Sequence, residues 1–290
     1  MKETIEYQNI HGNTKYKDTL FRMVFKDKKD LLDLYNAVND THYEDADALT
    51  VNTLENVLYI SMKNDASFII GNTMNLYEHQ STRNENMPLR GLLYFAKLYE
   101  NYISENDIDL YAGKIQKIPT PKYVVFYNGI ENEPDQRIMR LSDAFIKEGG
   151  CLECEVVLLN INYGKNRELL EKCRRLEEYA LFVATVRKYK SEDVSLRKAI
   201  TFAIEECIQK EILKDILTKQ RNEVLEVVLS TFNQELYEKN LKQDAYEAGR
   251  MEEKMAFIQR NWKKGKTVEE IAELLDEDFN FVKKLIEEER

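Results

Sequence analysis

The dipeptide Gly71-Asn72 separates two runs of strand-forming residues, 66–70 and 73–79. Gly-Asn between two such runs is typical of a two-residue hairpin turn, which fixes how the flanking strands pair. Counting outward from the turn places Asp65 opposite Glu78. Because paired residues point to the same face of a sheet, the two carboxylates would lie side by side, with Cβ atoms roughly 5 Å apart.

Two like charges at this spacing destabilise a sheet unless a positive charge lies between them. A divalent cation such as Mg²⁺, which prefers hard oxygen ligands, would satisfy both carboxylates. The same count pairs Gln80 with Lys63 on the carboxylate face, whereas strand alternation sends Tyr77 and His79 to the other face. We expect His79 to pack or to cap rather than to bind a metal. The hairpin therefore predicts a cation site on one face of two adjacent strands.

The rest of the first half alternates between helical and extended patterns. Residues 18–38 have the apolar periodicity of an amphipathic helix or helix pair, and Pro88 suits the first turn of a later helix. Residues 57–62 are expected to form a further strand, and the nearly continuous apolar run 122–127 a buried central strand. We therefore predict the α/β class, with a mixed sheet flanked by helices.

From Tyr163 onward the sequence is rich in Glu, Lys, Leu and Ile, contains no Pro and has helical periodicity. We therefore predict two parts, a sheet-containing domain over residues 1–162 and an α-helical C-terminal region over 163–290. Sustained apolar positions on these helices would support self-association, so a homodimer formed through the C-terminal helices is one expected assembly.

A short unit at about residues 260–290 resembles a helix-turn-helix. Thr267 and Glu270 form a capping-box sequence, and apolar residues follow on one helix face. Arg260 and several lysines precede this helix, which favours contact with nucleic acid, whereas the acidic residues 287–289 disfavour it. DNA binding and a role in helix packing or dimerisation both remain open for this unit.

The formal net charge of −10 argues against a protein that binds DNA with its whole surface, and it predicts weak non-specific affinity. No apolar run is long enough to span a bilayer, and the polar first residues lack the apolar core of a signal peptide. We therefore expect a cytoplasmic protein without a membrane partner. Cys151 and Cys154 have zinc-like spacing but no matching second pair, so we expect them to belong to a strand instead.

Two stretches of the sequence resemble a known group of nucleases. Asp65 followed by Glu78-His79-Gln80 is similar to the Asp…Glu-x-Lys core of the PD-(D/E)XK nuclease superfamily, with Gln80 where Lys is commoner. Residues 76–90 (LYEHQSTRNENMPLR) and 18–25 (DTLFRMVF) resemble the Rpn family of recombination-promoting nucleases. The resemblance implies a restriction-endonuclease-like fold and a DNA endonuclease that uses Mg²⁺ or Mn²⁺, in the service of recombination or transposon-like movement.

The resemblance also implies roles for individual residues. Asp65 and Glu78 would be metal ligands, Gln80 would hold or orient the attacking water, and Asp18 on the first helix would make an outer contact to the metal. In such a site the metal lowers the pKa of water and stabilises the charge that develops on the scissile phosphate.

Three basic residues complete the candidate site. A neutral Gln80 can position water but cannot supply the charge of a Lys, so we hypothesise that Lys63 provides it from the neighbouring strand. Arg83 and Arg90 are candidates for contacts to DNA phosphate, and the alternative for both is solvent exposure or a structural ion pair.

Other functions stay open at this point. A DNA-binding or regulatory protein that keeps a nuclease fold but no longer cleaves is favoured by Gln80 and by the acidic net charge. A helical protein-interaction scaffold is supported by the long helical half. The two carboxylates would be ordinary surface charges if the hairpin register differed from the predicted one.

Overall fold

The computed structural model describes residues 20–52, 65–192 and 194–288. Within these ranges six strands form one mixed sheet, in the order β1-β2-β3-β4-β6-β5. The strands are β1 (Thr50–Val51), β2 (Ala66–Ile70), β3 (Thr73–Gln80), β4 (Thr120–Tyr127), β5 (Gln136–Arg140) and β6 (Glu155–Asn160). The predicted α/β class with a mixed sheet is confirmed, whereas the predicted strand at residues 57–62 lies outside the described residues.

The predicted hairpin is confirmed with its register. β2 and β3 pair antiparallel from Ile70 opposite Thr73 to Ala66 opposite Tyr77, so one further step along the same register brings Asp65 level with Glu78. Beyond the hairpin, β3, β4 and β6 run parallel, and the short β1 and β5 pair antiparallel at the two edges.

Helices flank this sheet in the first part of the chain and then continue to its end. They are α1 (Leu20–Val24), α2 (Lys28–Asn39), α3 (Met87–Glu105), α4 (Arg167–Lys172), α5 (Arg174–Lys190), α6 (Leu196–Gln209), α7 (Lys214–Lys219), α8 (Arg221–Lys263), α9 (Val268–Leu275) and α10 (Phe279–Glu288). The predicted N-terminal helix divides into α1 and α2 because Asp27 caps the second helix, its side chain accepting a hydrogen bond from the backbone amide of Lys29. As predicted, Pro88 lies in the first turn of α3.

Two hydrophobic cores lie on the two faces of the sheet. On one face Tyr77 and Phe126 pack against α1, α2 and the helices that follow β6, among which Tyr179 and Phe182 are buried. On the other face Leu76 and further strand residues pack against α3. This division follows from strand alternation, and it places Glu78 on the α3 side and His79 on the opposite side.

The first compact unit extends through Phe232, and the second begins at Asn233. The first helices after residue 163 thus belong with the sheet, since α5 and α6 contribute side chains to its core. The expectation that Cys151 and Cys154 belong to a strand is wrong, because β6 begins at Glu155, directly after Cys154. Cys151 is exposed, whereas Val156 within β6 is fully buried. No helix in the described part of the chain is both long and apolar enough to cross a membrane.

Candidate active site

Asp65 and Glu78 lie at the open end of the β2–β3 hairpin. The Asp65 carboxylate accepts a hydrogen bond of 2.7 Å from the backbone amide of His79, which fixes its position beside β3. The side chain of Glu78 is only 2% exposed, whereas Asp65 is partly exposed. The pair therefore combines one carboxylate at the surface with a neighbouring one in the interior.

This hairpin end coincides with the carboxyl ends of the parallel strands. Gln80 at the end of β3 is level with Tyr127 in β4, and Tyr127 is level with Asn160 in β6. Ligands of open α/β sheets bind outside the carboxyl ends of the strands. The location thus agrees with that of a binding site in this class of fold.

Arg90 on α3 forms an ion pair with Glu78. Its Nη2 lies 3.0 Å from Glu78 Oε2 and 3.3 Å from the Tyr94 hydroxyl. Within the described residues, three buried polar atoms around this pair have no partner at hydrogen-bonding geometry: Glu78 Oε1, Arg90 Nε and the Tyr123 hydroxyl. Because buried polar groups are nearly always satisfied, the arrangement has capacity for a further polar ligand, ion or water.

The surroundings of this site shift the pKa values of its own titratable side chains. Burial raises the pKa of Glu78 well above its usual value, and the charge of Asp65 adds to the increase. Arg90, the backbone of Asp65 and Arg22 on α1 act in the opposite direction. Burial next to Glu78 also raises the pKa of Tyr94 to about 12. A cation bound between the carboxylates would relieve the unfavourable charge on Glu78.

His79 lies on the other face of the sheet, as the hairpin predicted. Its Nε2 is 2.8 Å from the hydroxyl of Tyr179, and its ring stacks on Phe21 with centroids 5.4 Å apart. Burial, with a contribution from Arg187, lowers the pKa of His79 to about 3, so the imidazole is neutral at physiological pH. His79 thus packs in the core, as expected, and takes no part in the carboxylate face.

The structure places only some of the predicted site residues. Gln80 is half-buried at the end of β3, on the face that carries Glu78. Lys63 and Asp18 lie outside the described residues. Arg83 pairs with Glu85 and lies 3.3 Å from the buried Glu133, so both candidate phosphate-binding arginines form ion pairs.

Sequence reasoning missed several groups at this end of the sheet. Arg22 and Tyr123 act electrostatically on or beside Glu78, and Arg187 donates hydrogen bonds to the Asn162 side chain and the Asn128 carbonyl. Arg22 stands within the stretch 18–25 that carries the family resemblance, so that stretch held a signal for it. The sequence carried no such signal for Tyr123 or Arg187, because only tertiary packing brings them to this end of the sheet.

The donor atoms of Asp65 and Glu78 suit a divalent cation. Asp65 and Glu78 offer hard carboxylate oxygens, one of them buried without a partner. No group of three or more acidic, His or Cys side chains of metal-binding arrangement occurs in the described ranges, so the described ligand set is this pair. No protein-family model, curated protein or solved structure matches the chain.

Proposed function

We propose that the protein is a Mg²⁺-dependent DNA endonuclease of the restriction-endonuclease-like type that hydrolyses phosphodiester bonds. The observation that supports this most directly is the Asp65–Glu78 pair, which carries a buried oxygen without a hydrogen-bond partner at the carboxyl ends of parallel strands. Burying the Glu78 carboxylate beside the charge of Asp65 costs stability, and such a cost is commonly found at functional sites.

Asp65 and Glu78 would hold Mg²⁺, or Mn²⁺ in its place. When bound, the metal would lower the pKa of a water molecule and offset the charge that develops on the phosphate. Gln80 shares their face, and its side-chain amide both donates and accepts hydrogen bonds, so it can orient the attacking water. Lys63 stays a hypothesis for the missing positive charge, and Asp18 for an outer contact.

Arg90 would change partner during function. It neutralises Glu78 in the structure, and a divalent cation at the carboxylates would take over that role. The guanidinium would then be available to a phosphate oxygen, for which its planar set of donors is well suited. Arg83, on the surface near the end of β3, would make a second phosphate contact.

A second candidate function is a DNA-binding or regulatory protein that keeps this fold without cleaving. Two observations favour it: Gln80 lacks the charge of the commoner Lys, and Arg90 already compensates Glu78. Metal binding and DNA binding are expected of both candidates, and only strand cleavage distinguishes them.

The test is relaxation and linearisation of a supercoiled plasmid by the purified full chain with Mg²⁺ or with EDTA. The site variants are Asp65→Asn and Glu78→Gln, which keep size and hydrogen-bonding capacity. Glu171→Gln, the same exchange at an exposed position on α4, is the matched control. We expect Mg²⁺-dependent cutting by the wild type and the control, and none by the site variants.

Two outcomes would contradict the endonuclease proposal. Equal inactivity of wild type and variants on supercoiled, linear and single-stranded DNA would favour the non-cleaving candidate. Equal activity of wild type and site variants would show that the chemistry lies elsewhere. Exchanging Lys63 and Gln80 for Ala separately then tests the charge hypothesis, which fails if cleavage needs Gln80 and not Lys63.

A further inference from the structure

The C-terminal unit, residues 233–290, ends in two short helices joined by a tight turn. The turn consists of residues 276–278, and Asp276 adopts the left-handed conformation at φ 55°. The backbone amides of Asp276 and Glu277 both donate to the carbonyl of Ala272, which ends α9 abruptly. Asp278 then caps α10, its carboxylate accepting from the amides of Asn280 and Phe281.

The two helices pack on the end of α8 around a small core. Ile258 of α8, Ile271 and Ala272 of α9 and Val282 of α10 are buried together. The small side chain of Ala272 lets the neighbouring helices approach closely. Two helices joined by a three-residue turn and packed on a third helix have the connectivity of a helix-turn-helix.

The second helix exposes a polar face that the core does not use. Phe279, Asn280, Lys283 and Lys284 are exposed, and their i, i+4 spacing places them on one side of α10. The other side, which includes Val282, packs into the core. In a helix-turn-helix the N-terminal part of the second helix contacts base edges, so these residues stand where contacts would be needed.

Exposed basic side chains precede α9, in addition to those on α10. Arg260, Lys263 and Lys264 are exposed just before α9, where the first helix of such a motif meets the phosphate backbone. Several nearby acidic groups have partners within the unit. Glu270 completes the capping box with Thr267, and Glu277 pairs with Lys254.

We propose that the C-terminal unit binds double-stranded DNA, with the first two turns of α10 in the major groove. Lys283 and Lys284 would contact phosphate or guanine, Asn280 would contact adenine, and Phe279 would contact a thymine methyl group. Lys263 and Lys264 would hold the phosphate backbone. In the sequence, the acidic residues 287–289 follow these lysines. This inference goes beyond the proposed function, because binding by this unit needs neither metal nor cleavage.

The test measures binding of the full chain to a fluorescein-labelled DNA duplex of about 25 base pairs in EDTA, over a series of salt concentrations. The test variant is Lys283→Ala with Lys284→Ala. The control, Lys190→Ala with Lys198→Ala, removes two exposed lysines from α5 and α6. Each lost phosphate contact lowers the slope of log K against log salt by about 0.9, so the test variant should bind roughly 10- to 100-fold more weakly with a shallower slope.

Two results would overturn the inference. The first is equal affinity and slope for the wild type and the test variant, with circular dichroism confirming that both are folded. The second is unchanged DNA binding together with altered self-association in light scattering, which would make α10 a dimer surface. A chain that binds through α10 but never cuts would refute only the endonuclease proposal. A chain that cuts, and binds the duplex equally well with and without Lys283 and Lys284, would refute only this one.

Discussion

The Asp65 carboxylate accepts a 2.7 Å hydrogen bond from the backbone amide of His79, the residue that follows Glu78. One acidic side chain is thus anchored to the backbone of the strand that carries the other. The bond holds the two carboxylates together even though their charges repel each other. Asp65 thus stabilises the fold through this bond and is also a ligand in the proposed metal site, and suitable substitutions can separate the two roles.

Asp65→Asn should keep this hydrogen bond, because the amide oxygen can accept it, while Asp65→Ala should lose it. We expect Asp65→Ala to lower the free energy of unfolding by about 1.5–3 kcal/mol, the range for a hydrogen bond to a charged group. Asp65→Asn should cost clearly less. Urea denaturation at neutral pH in EDTA measures both, and equal losses would show that the bond does not anchor the strand.

Removing the proposed metal ligands should abolish any stabilisation of the protein by Mg²⁺ or Mn²⁺. A cation that binds only the folded state raises the free energy of unfolding by about 2.7 kcal/mol at 100 times its dissociation constant. We therefore expect millimolar Mg²⁺ or Mn²⁺ to raise the melting temperature of the wild type and of Glu171→Gln. Asp65→Asn and Glu78→Gln should show no such rise, and a rise in either variant would place the metal elsewhere.

Glu78→Gln should stabilise the protein without metal at neutral to alkaline pH. Because the pKa of Glu78 is raised in the folded state, its contribution to stability is present at low pH and is lost as pH rises above the ordinary value of 4.5. A neutral Gln avoids that loss, and the Arg90 that it leaves without its partner carboxylate is 23% exposed and so still reaches solvent. The variant should melt about 2–4 °C higher than the wild type at pH 8, the shift that ~1 kcal/mol produces in a domain of this size. The difference should shrink towards pH 4.

Arg90→Ala should be strongly destabilising because it leaves Glu78 buried beside Asp65 without the guanidinium that pairs with it. Breaking one side of a buried ion pair costs about 3–5 kcal/mol. Arg140→Ala, which breaks an exposed pair with Glu155, should cost less than about 1 kcal/mol and serves as the control. A double-mutant cycle with Glu78→Gln should recover at least ~1 kcal/mol, and additive effects would disprove the coupling.

Local chemistry explains which parts of the fold were predictable. The Gly71-Asn72 turn, the strand alternation and Pro88 act over a few residues, so the hairpin register and the start of α3 followed from the sequence. The edge strands β1 and β5 are short, and only pairing with the rest of the sheet defines them. They carry no strong pattern of their own.

Only the part of the candidate site that lies on the β2–β3 hairpin could be predicted from the sequence. The Asp65–Glu78 pair followed from the register, whereas the ion pair of Arg90 with Glu78 depends on how α3 packs against the sheet. The contact between His79 and Tyr179 joins residues a hundred positions apart. Such pairs depend on tertiary packing, which periodicity along the chain does not encode.

His79 should make the protein sensitive to mild acid. Its pKa falls from 6.5 to about 3 in the folded state, so only the unfolded chain binds a proton between these values. The stability contributed by the neutral imidazole is complete above pH 6.5 and is lost as pH falls, by about 2 kcal/mol on reaching pH 5.

His79→Gln keeps a polar partner for Tyr179 but does not titrate. We expect this variant to be less stable than the wild type at pH 7.5 and to lose less stability between pH 7 and pH 5. His42→Gln, at an exposed histidine, is the matched control and should follow the wild type. Urea denaturation at half-unit pH steps measures the difference, and parallel curves for the wild type and His79→Gln would mean that His79 binds a proton as readily in the folded protein as in the unfolded chain.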